Sequence, residues 1–245
     1  MCGRVALFTP PARLARILDA ACVAGLAEPG PEGWHASYNV GPTGTLLGVA
    51  PAFPPTGEGP TDRASDPGRV LAPYRWGLVP PWADDPRMGA RLFNARAETV
   101  ATKPAFRHAF RRRRLVVPVD GFYEWGPIGR GKRPHYFRRA DGAPVLLAGL
   151  WEMWAPKGEG GAPLRTCTVI TTEAGADLGD LHDRMPVVLE ADRVDDWIDP
   201  DPADEHAFAS LLAPAPAGTL VHYPVDRRVG SVRNDGPDLV EPAPA

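Results

Sequence analysis

Cysteine is scarce in this chain of 245 residues: Cys2, Cys22 and Cys167 are all it has. Three thiols so spaced give neither a disulfide framework nor paired metal ligands. No apolar run approaches the ~20 residues that a membrane span needs. The chain start also lacks the basic segment and apolar core of a secretory signal. The expected compartment is therefore the reducing cytoplasm, where Cys2 stays a thiol. No internal repeat stands out. What is present is ordinary for a soluble globular protein, with 44% hydrophobic and 23% charged residues. The length suits one sizeable domain and is short for two.

The net charge of −3 conceals an uneven distribution. Between Arg87 and Arg114 stand nine lysines and arginines and a single acid, Glu98. Between Asp177 and Glu205 stand eleven acids and two arginines. A patch of one sign steers an oppositely charged polymer even when the whole chain is near neutral. The run Arg111–Arg114 reads equally as a binding element or as a solvated helix end and turn.

Cys2 to Phe8 reads as a short strand, and Thr9 as an N-cap with Pro10 and Pro11 in the first helical turn. Leu14, Ile17, Leu18 and Ala21 recur at helical spacing up to a stop at Gly25. Strand-like runs follow: Thr45–Ala50, Val70–Val79, Leu115–Val119, Phe122–Trp125, His135–Arg138, Val145–Trp151 and Arg165–Thr171. Asp141-Gly142 is a hairpin signal between two of them. Gly126–Arg133 and Pro156–Pro163 read as loops, and Pro51–Gly68 as a flexible inserted loop. Shorter helices fit Thr102–Phe110, Asp192–Ile198 and Pro202–Leu212. The expected fold is α+β: one domain over residues 1–241 on a mostly antiparallel, barrel-like β-sheet, with a few short helices, a basic groove and an irregular tail at 242–245.

Cys2 stands directly behind the initiator methionine. Removal of Met1 would leave a thiol and an α-amine on one residue, titrating near ~8.5 and ~8. A 1,2-aminothiol condenses with an aldehyde: the amine makes an imine and the adjacent sulfur closes a thiazolidine. The second step profits from a pre-positioned group. On a strand, Cys2 and Arg4 share a face, and a guanidinium there lowers a thiol pKa or holds a phosphate.

Three further segments concentrate reactive residues. In Asn94-Ala95-Arg96-Ala97-Glu98-Thr99, an extended chain puts Asn94 and Arg96 on one face; otherwise the Asn caps a following helix. In Asp120-Gly121-Phe122-Tyr123-Glu124-Trp125, flanking aromatics would desolvate Glu124 and raise its pKa toward acid/base use, unless it is an edge-strand carboxylate facing water. In His182-Asp183-Arg184-Met185-Pro186, Pro186 favours extended backbone before it, so a turn holding His182 precedes a strand; the histidine is either catalytic or structural. No second histidine at i+3 or i+4 and no cysteine pair supports a metal. Trp76, Trp82, Tyr123 and Trp125 lie in or beside these segments, and an exposed ring beside a basic groove suits base stacking.

Together these segments resemble the SRAP family (SOS response-associated peptidase), the abasic-site processing proteins. The matching stretches are Met1-Cys2-Gly3-Arg4, Tyr38-Asn39-Val40, Trp76-Gly77-Leu78-Val79-Pro80, Asn94–Thr99, Pro118–Trp125, His182–Pro186 and Val232-Arg233-Asn234-Asp235. The resemblance implies a protein that binds single-stranded DNA containing an abasic site and traps the ring-opened deoxyribose on its N-terminal cysteine. It implies Cys2 as nucleophile, Asn94 positioning the sugar or amine, Glu124 as acid/base group and His182 assisting proton transfer and crosslink reversal. Arg4, Asn39, Arg96 and Arg184 would contact DNA, and Trp82 would pack against a base. It further implies self-processing at Met1, a hydrolase- and lyase-like activity, no cofactor or metal, a monomer, no membrane, and a cytoplasmic, nucleoid-associated location when bound to DNA. Two positions depart from the family: Ser37 replaces a larger residue and Gly41 a common Ala, which puts one DNA contact in doubt.

Two other readings are open on the residues. One is an N-terminal-cysteine amidohydrolase of the glutamine amidotransferase kind, although the chain lacks the Asn-Gly pair that such enzymes use. The other is a non-covalent single-stranded-DNA-binding module, whose binding would vanish at high salt.

Overall fold

The computed structural model describes residues 2–26, 34–52, 68–128, 131–156, 161–198 and 207–244. Its strands are β1 (Val5–Leu7), β2 (Ala21–Cys22), β3 (Ser37–Val40), β4 (Thr45–Pro51), β5 (Arg69–Trp76), β6 (Asn94–Arg96) and β7 (Arg114–Val119). There follow β8 (Gly121–Ile128), β9 (Gly131–Arg139), β10 (Val145–Trp154), β11 (Leu164–Glu173), β12 (Arg184–Pro186), β13 (Val188–Leu189) and β14 (Leu220–Pro224). The α-helices are short: α1 (Pro11–Ile17), α2 (Arg107–Arg112), α3 (Val194–Ile198) and α4 (Ala207–Leu211).

The expected α+β architecture is present. Strands β11, β10, β7, β4 and β5 pair in that order, and a parallel contact of β11 with β5 (Cys167 opposite Trp76) closes them into a barrel. A second, five-stranded sheet runs β14-β9-β8-β1-β3. The sequence of the barrel strands explains their depth. Every residue of β7 is buried, and so is Val145–Glu152 of β10, because both faces of these strands are covered and apolar runs replace alternation. On one face, Leu47, Val116, Leu146 and Ile170 pack with helical residues Leu14, Phe110 and Trp197. On the other, Leu46, Leu115, Val117 and Leu147 join Cys2 and, from the second sheet, Val5, Phe122 and Phe137. Burying each such large side chain contributes about 1.5–3 kcal/mol.

Several local expectations are corrected. Pro10, not Thr9, occupies the helix N-cap; the Thr9 hydroxyl and the N–H groups of Phe8 and Thr9 are taken by Asp120, the latter two at 2.6 and 2.8 Å. The first helix stops at Ile17, and Ala21 begins a strand parallel to β5. Gly126–Arg133 is largely strand: Gly126 pairs with Arg133 and Ile128 with Gly131 across β8 and β9. Cross-strand pairing there outweighs the Gly and Pro content. The Asp141-Gly142 turn joins β9 to β10, strands of different sheets, so it is no hairpin. Helix α2 begins only at Arg107. Residues 53–67, 157–160 and 202–206, on which parts of the loop and helix expectations fall, lie outside the described residues.

No helix among the described residues is long and apolar enough to cross a membrane, which says nothing of strands.

Candidate functional site

Side-chain alternation holds only within a strand, and β1 begins at Val5. Cys2 and Arg4 therefore do not share a face as expected. Cys2 is fully buried in the cluster of Val5 and Phe122. Arg4 turns the other way, its guanidinium 5.9 Å from the centre of the Trp125 ring.

Strand β8 obeys the alternation and sorts its residues accordingly. Tyr123 and Trp125 pack with Ala6 and Tyr136 on one side. Phe122 joins the Cys2 cluster on the other, and Glu124 shares its side. Glu124 is 2% exposed. Burial pushes its carboxyl above the usual carboxylate range, against the pull of positive charge at the amino terminus and on His182. Burial and then the Glu124 charge push the Cys2 thiol far up, opposed by the amino terminus and by the Arg4 backbone N–H. The shared burial and the Glu124 charge thus both favour the protonated form of the thiol.

Asn94 reaches the same place from the barrel. It lies in β6, parallel to β11 with Asn94 opposite Val169, so it is extended and caps no helix. Ala95 is buried and Arg96 exposed, which leaves Asn94 on the side of Arg96. Asn94 Nδ2 donates to the Cys2 carbonyl at 2.6 Å. Its Oδ1 is buried and has no hydrogen-bond partner among the described residues.

His182 sits on a turn ahead of β12, as expected. Its neighbour Leu181 seats against β8 at Gly126, where a methyl group would overlap the Leu181 side chain. A glycine two residues after Glu124 thus lets the turn approach with Leu181 in this position. His182 Nδ1 accepts the Arg184 N–H at 2.9 Å, which puts the proton of the neutral ring on Nε2. The exposed Asp183 carboxylate, also 2.9 Å from Nδ1, engages only when Nδ1 carries a proton and gives up the Arg184 bond.

Three of the residues expected at DNA are held by the protein itself. Arg4 donates to Asn39 Oδ1 at 2.7 Å and to the carbonyls of Val229 and Gly230. Asn39 in turn donates to the carbonyls of Ser231 and Asn234, at 2.9 and 2.7 Å. Val232 leans over Gly41, and an alanine there would press on it at 2.9 Å, which accounts for the small residue. Arg184 makes a bidentate pair with Glu98, at 2.5 and 3.1 Å. Glu98 had no expected role, although its period-two spacing from Asn94 and Arg96 was the available signal.

The basic segment is mostly outward. Arg87, Arg91, Arg96, Lys103, Arg107, Arg111 and Arg112 are exposed. Arg113 pairs with the buried Glu152, and Arg114 is 1% exposed, with its Nε donating to the Trp197 carbonyl at 2.5 Å. The four-arginine run is therefore half scaffold. Trp82, 54% exposed, lines a groove of about 600 Å³ with Met88, Leu92 and Ala105 and with Arg87 and Arg91 of the basic segment. Among the described residues no three His, Cys, Asp or Glu side chains are grouped to hold a metal.

The residues gathered around Cys2 come from positions far apart in the chain, Asn94 through its bond to the Cys2 carbonyl and Glu124 through its charge, and sequence comparison spans all of them. The model of the SOS response associated peptidase (SRAP) family matches residues 1–232. The chain belongs to this family. Its SRAP relatives include the abasic site processing protein YoqW of Bacillus subtilis, 36% identical over 98% of this chain and 99% of that protein. The abasic site processing protein HMCES of Gallus gallus is 33% identical over 99% of this chain and 78% of that protein. The crystal structure of a Bacteroides thetaiotaomicron protein shares the fold with a TM-score of 0.79, at 22% identity, over 99% of this chain and 100% of that one. The match bears out the resemblance read from the motifs.

Proposed function

We propose that this chain processes abasic sites in DNA by forming a thiazolidine between Cys2, freed of Met1, and the aldehyde of a ring-opened abasic sugar in single-stranded DNA. The carrying observation is the convergence on Cys2 of Asn94, bonded to its carbonyl at 2.6 Å, and of the buried Glu124, whose charge acts on its thiol. Relatives along nearly the whole chain are named abasic site processing proteins.

The α-amine attacks first: it adds to the aldehyde carbon, and the oxygen leaves as water, giving an imine. The thiol then adds across the C=N bond, sulfur to carbon, with its proton passing through Glu124 to nitrogen. Glu124, held above the usual carboxylate range by burial, exchanges protons in both steps. Asn94 Oδ1, buried with no partner among the described residues, accepts from the amine that Met1 removal exposes. His182 moves protons at the sugar and in reversal of the adduct. Arg96 and the exposed arginines attract the backbone, and Trp82 stacks on a base.

The test is a denaturing gel after incubation with a single-stranded oligonucleotide carrying one abasic site. The wild type is expected to give a shifted covalent species; Cys2→Ala and a chain with an N-terminal extension are expected to give none. Normal crosslinking by Cys2→Ala overturns the assignment.

A further inference from the structure

His135 and His222 stand 87 residues apart in the chain and meet at the edge of the second sheet. Strand β14 pairs antiparallel with β9, with His222 opposite Phe137 and Pro224 opposite His135. Alternation along β9 therefore puts both imidazoles on one face. Their Nδ1 atoms are 3.1 Å apart. At most one hydrogen fits between two nitrogens at that distance, so at least one of them presents a lone pair. The His222 ring stacks on Phe137 at 4.7 Å, and Phe137 stacks on Phe122 at 5.1 Å. Strand β14 is also tied on both sides of His222. Asp177 takes the Leu220 N–H at 2.9 Å, and the Pro224 carbonyl accepts the Ala243 N–H at 2.8 Å. Burial and the charges of His222 and Arg133 push the His135 pKa down, so its ring is neutral at neutral pH.

We propose that His135 and His222 form a two-imidazole site for a late first-row divalent cation, held between their Nδ1 atoms. Metal–imidazole bonds run about 2.0–2.1 Å, and nitrogens 3.1 Å apart then subtend roughly 95–100° at the metal. That is near the right angle of a cis pair in tetragonal coordination, which suits copper(II) and nickel(II) better than tetrahedral zinc. The cation replaces the hydrogen between the rings, and each imidazole then carries its proton on Nε2. Water completes the coordination, because among the described residues no third His, Cys, Asp or Glu joins the pair. Two protein donors make an exchangeable site, and the stacked rings and pinned strand supply its preorganisation. Spacing along the sequence gave no sign of it, since the two ligands belong to separate strands. The site neighbours Glu124, which lies opposite His135 across β8 and β9. It uses neither Cys2 nor DNA and stands independently of the crosslinking chemistry.

The experiment titrates the full, untagged chain with nickel(II) at neutral pH by calorimetry. In parallel, diethyl pyrocarbonate labelling of the histidines is mapped by mass spectrometry with and without the metal. In the wild type, saturating nickel is expected to protect His135 and His222 together, while the exposed His35 stays reactive. His135→Phe and His222→Phe should each weaken this binding event by at least about tenfold, since losing one donor abolishes the chelate. The double variant should bind no more weakly than either single one, because one chelate is lost once. Nickel held by Cys2 and its freed amine is a separate event that neither substitution alters. Labelling of the wild type needs no variant, so it decides the matter even where a substitution unfolds the chain. A pair left unprotected at saturating nickel overturns the proposal, as do phenylalanine variants that bind nickel as the wild type does.

Discussion

The two sides of strand β8 are built from consecutive residues and have opposite characters. On the side of Tyr123 and Trp125, most polar groups bond to distant backbone: the Tyr123 hydroxyl donates to the Tyr38 carbonyl at 2.7 Å, and Arg4, whose Nε alone is buried without a partner among the described residues, ties Asn39 to the carbonyls of the segment near Val229. On the side of Phe122 and Glu124, a carboxyl whose pKa burial raises acts on a thiol raised likewise, beside an amide whose acceptor has no partner among the described residues. Matched polar groups hold a structure in place, whereas a buried group held off its ordinary pKa is kept ready for proton transfer. In the proposed mechanism, one strand separates scaffold from chemistry by the direction of its side chains.

That division is broken most severely by Glu124→Gln. Shape and DNA binding should persist while crosslinking at saturating DNA slows by on the order of 100-fold, the worth of a positioned proton-transfer group. The sign of the pH effect follows from the raised pKa. As base, Glu124 must be ionised, so the wild-type rate falls as pH drops through a value above the ordinary carboxylate range, and that limb is absent from the glutamine variant. Equal rates and equal pH profiles would remove Glu124 from the mechanism.

Gly126→Ala probes the approach of the histidine turn to the same face. The added methyl overlaps Leu181, and such overpacking costs about 1–3 kcal/mol. Thermal unfolding should shift down, and crosslinking should slow more than binding does. An unshifted melting temperature with full activity would show that Leu181 moves aside freely.

On the scaffold side, Tyr123→Phe should cost only about 1 kcal/mol, for one hydrogen bond, while crosslinking at saturating DNA keeps its rate. A large loss of rate without loss of stability would erase the distinction between the two sides.

Much of this was readable in the sequence because it depends on pattern. The barrel strands announce themselves as apolar runs, and period two places Glu124 apart from Tyr123. Cys2, Asn94, Glu124 and His182 were named from residue type and motif, and the fold brings Asn94 and Glu124 to Cys2. What was not readable depends on where strands begin and on distant partners. The start of β1 at Val5 separates Cys2 from Arg4, and no local feature gives that boundary. The hold of Arg4 on residues 225 positions away, and the inward turn of Arg114 onto Trp197, are products of tertiary packing. The capture of Thr9 by Asp120 overrides a local capping preference in the same way.

The most direct test is the intact mass of the covalent product with an abasic single-stranded oligonucleotide, with the linkage site located by fragmentation. The expected mass is that of the chain without Met1 plus the oligonucleotide less one water, with the link on Cys2. A product that retains Met1, or one whose link lies on another residue, would contradict ring formation by the thiol and amine of Cys2.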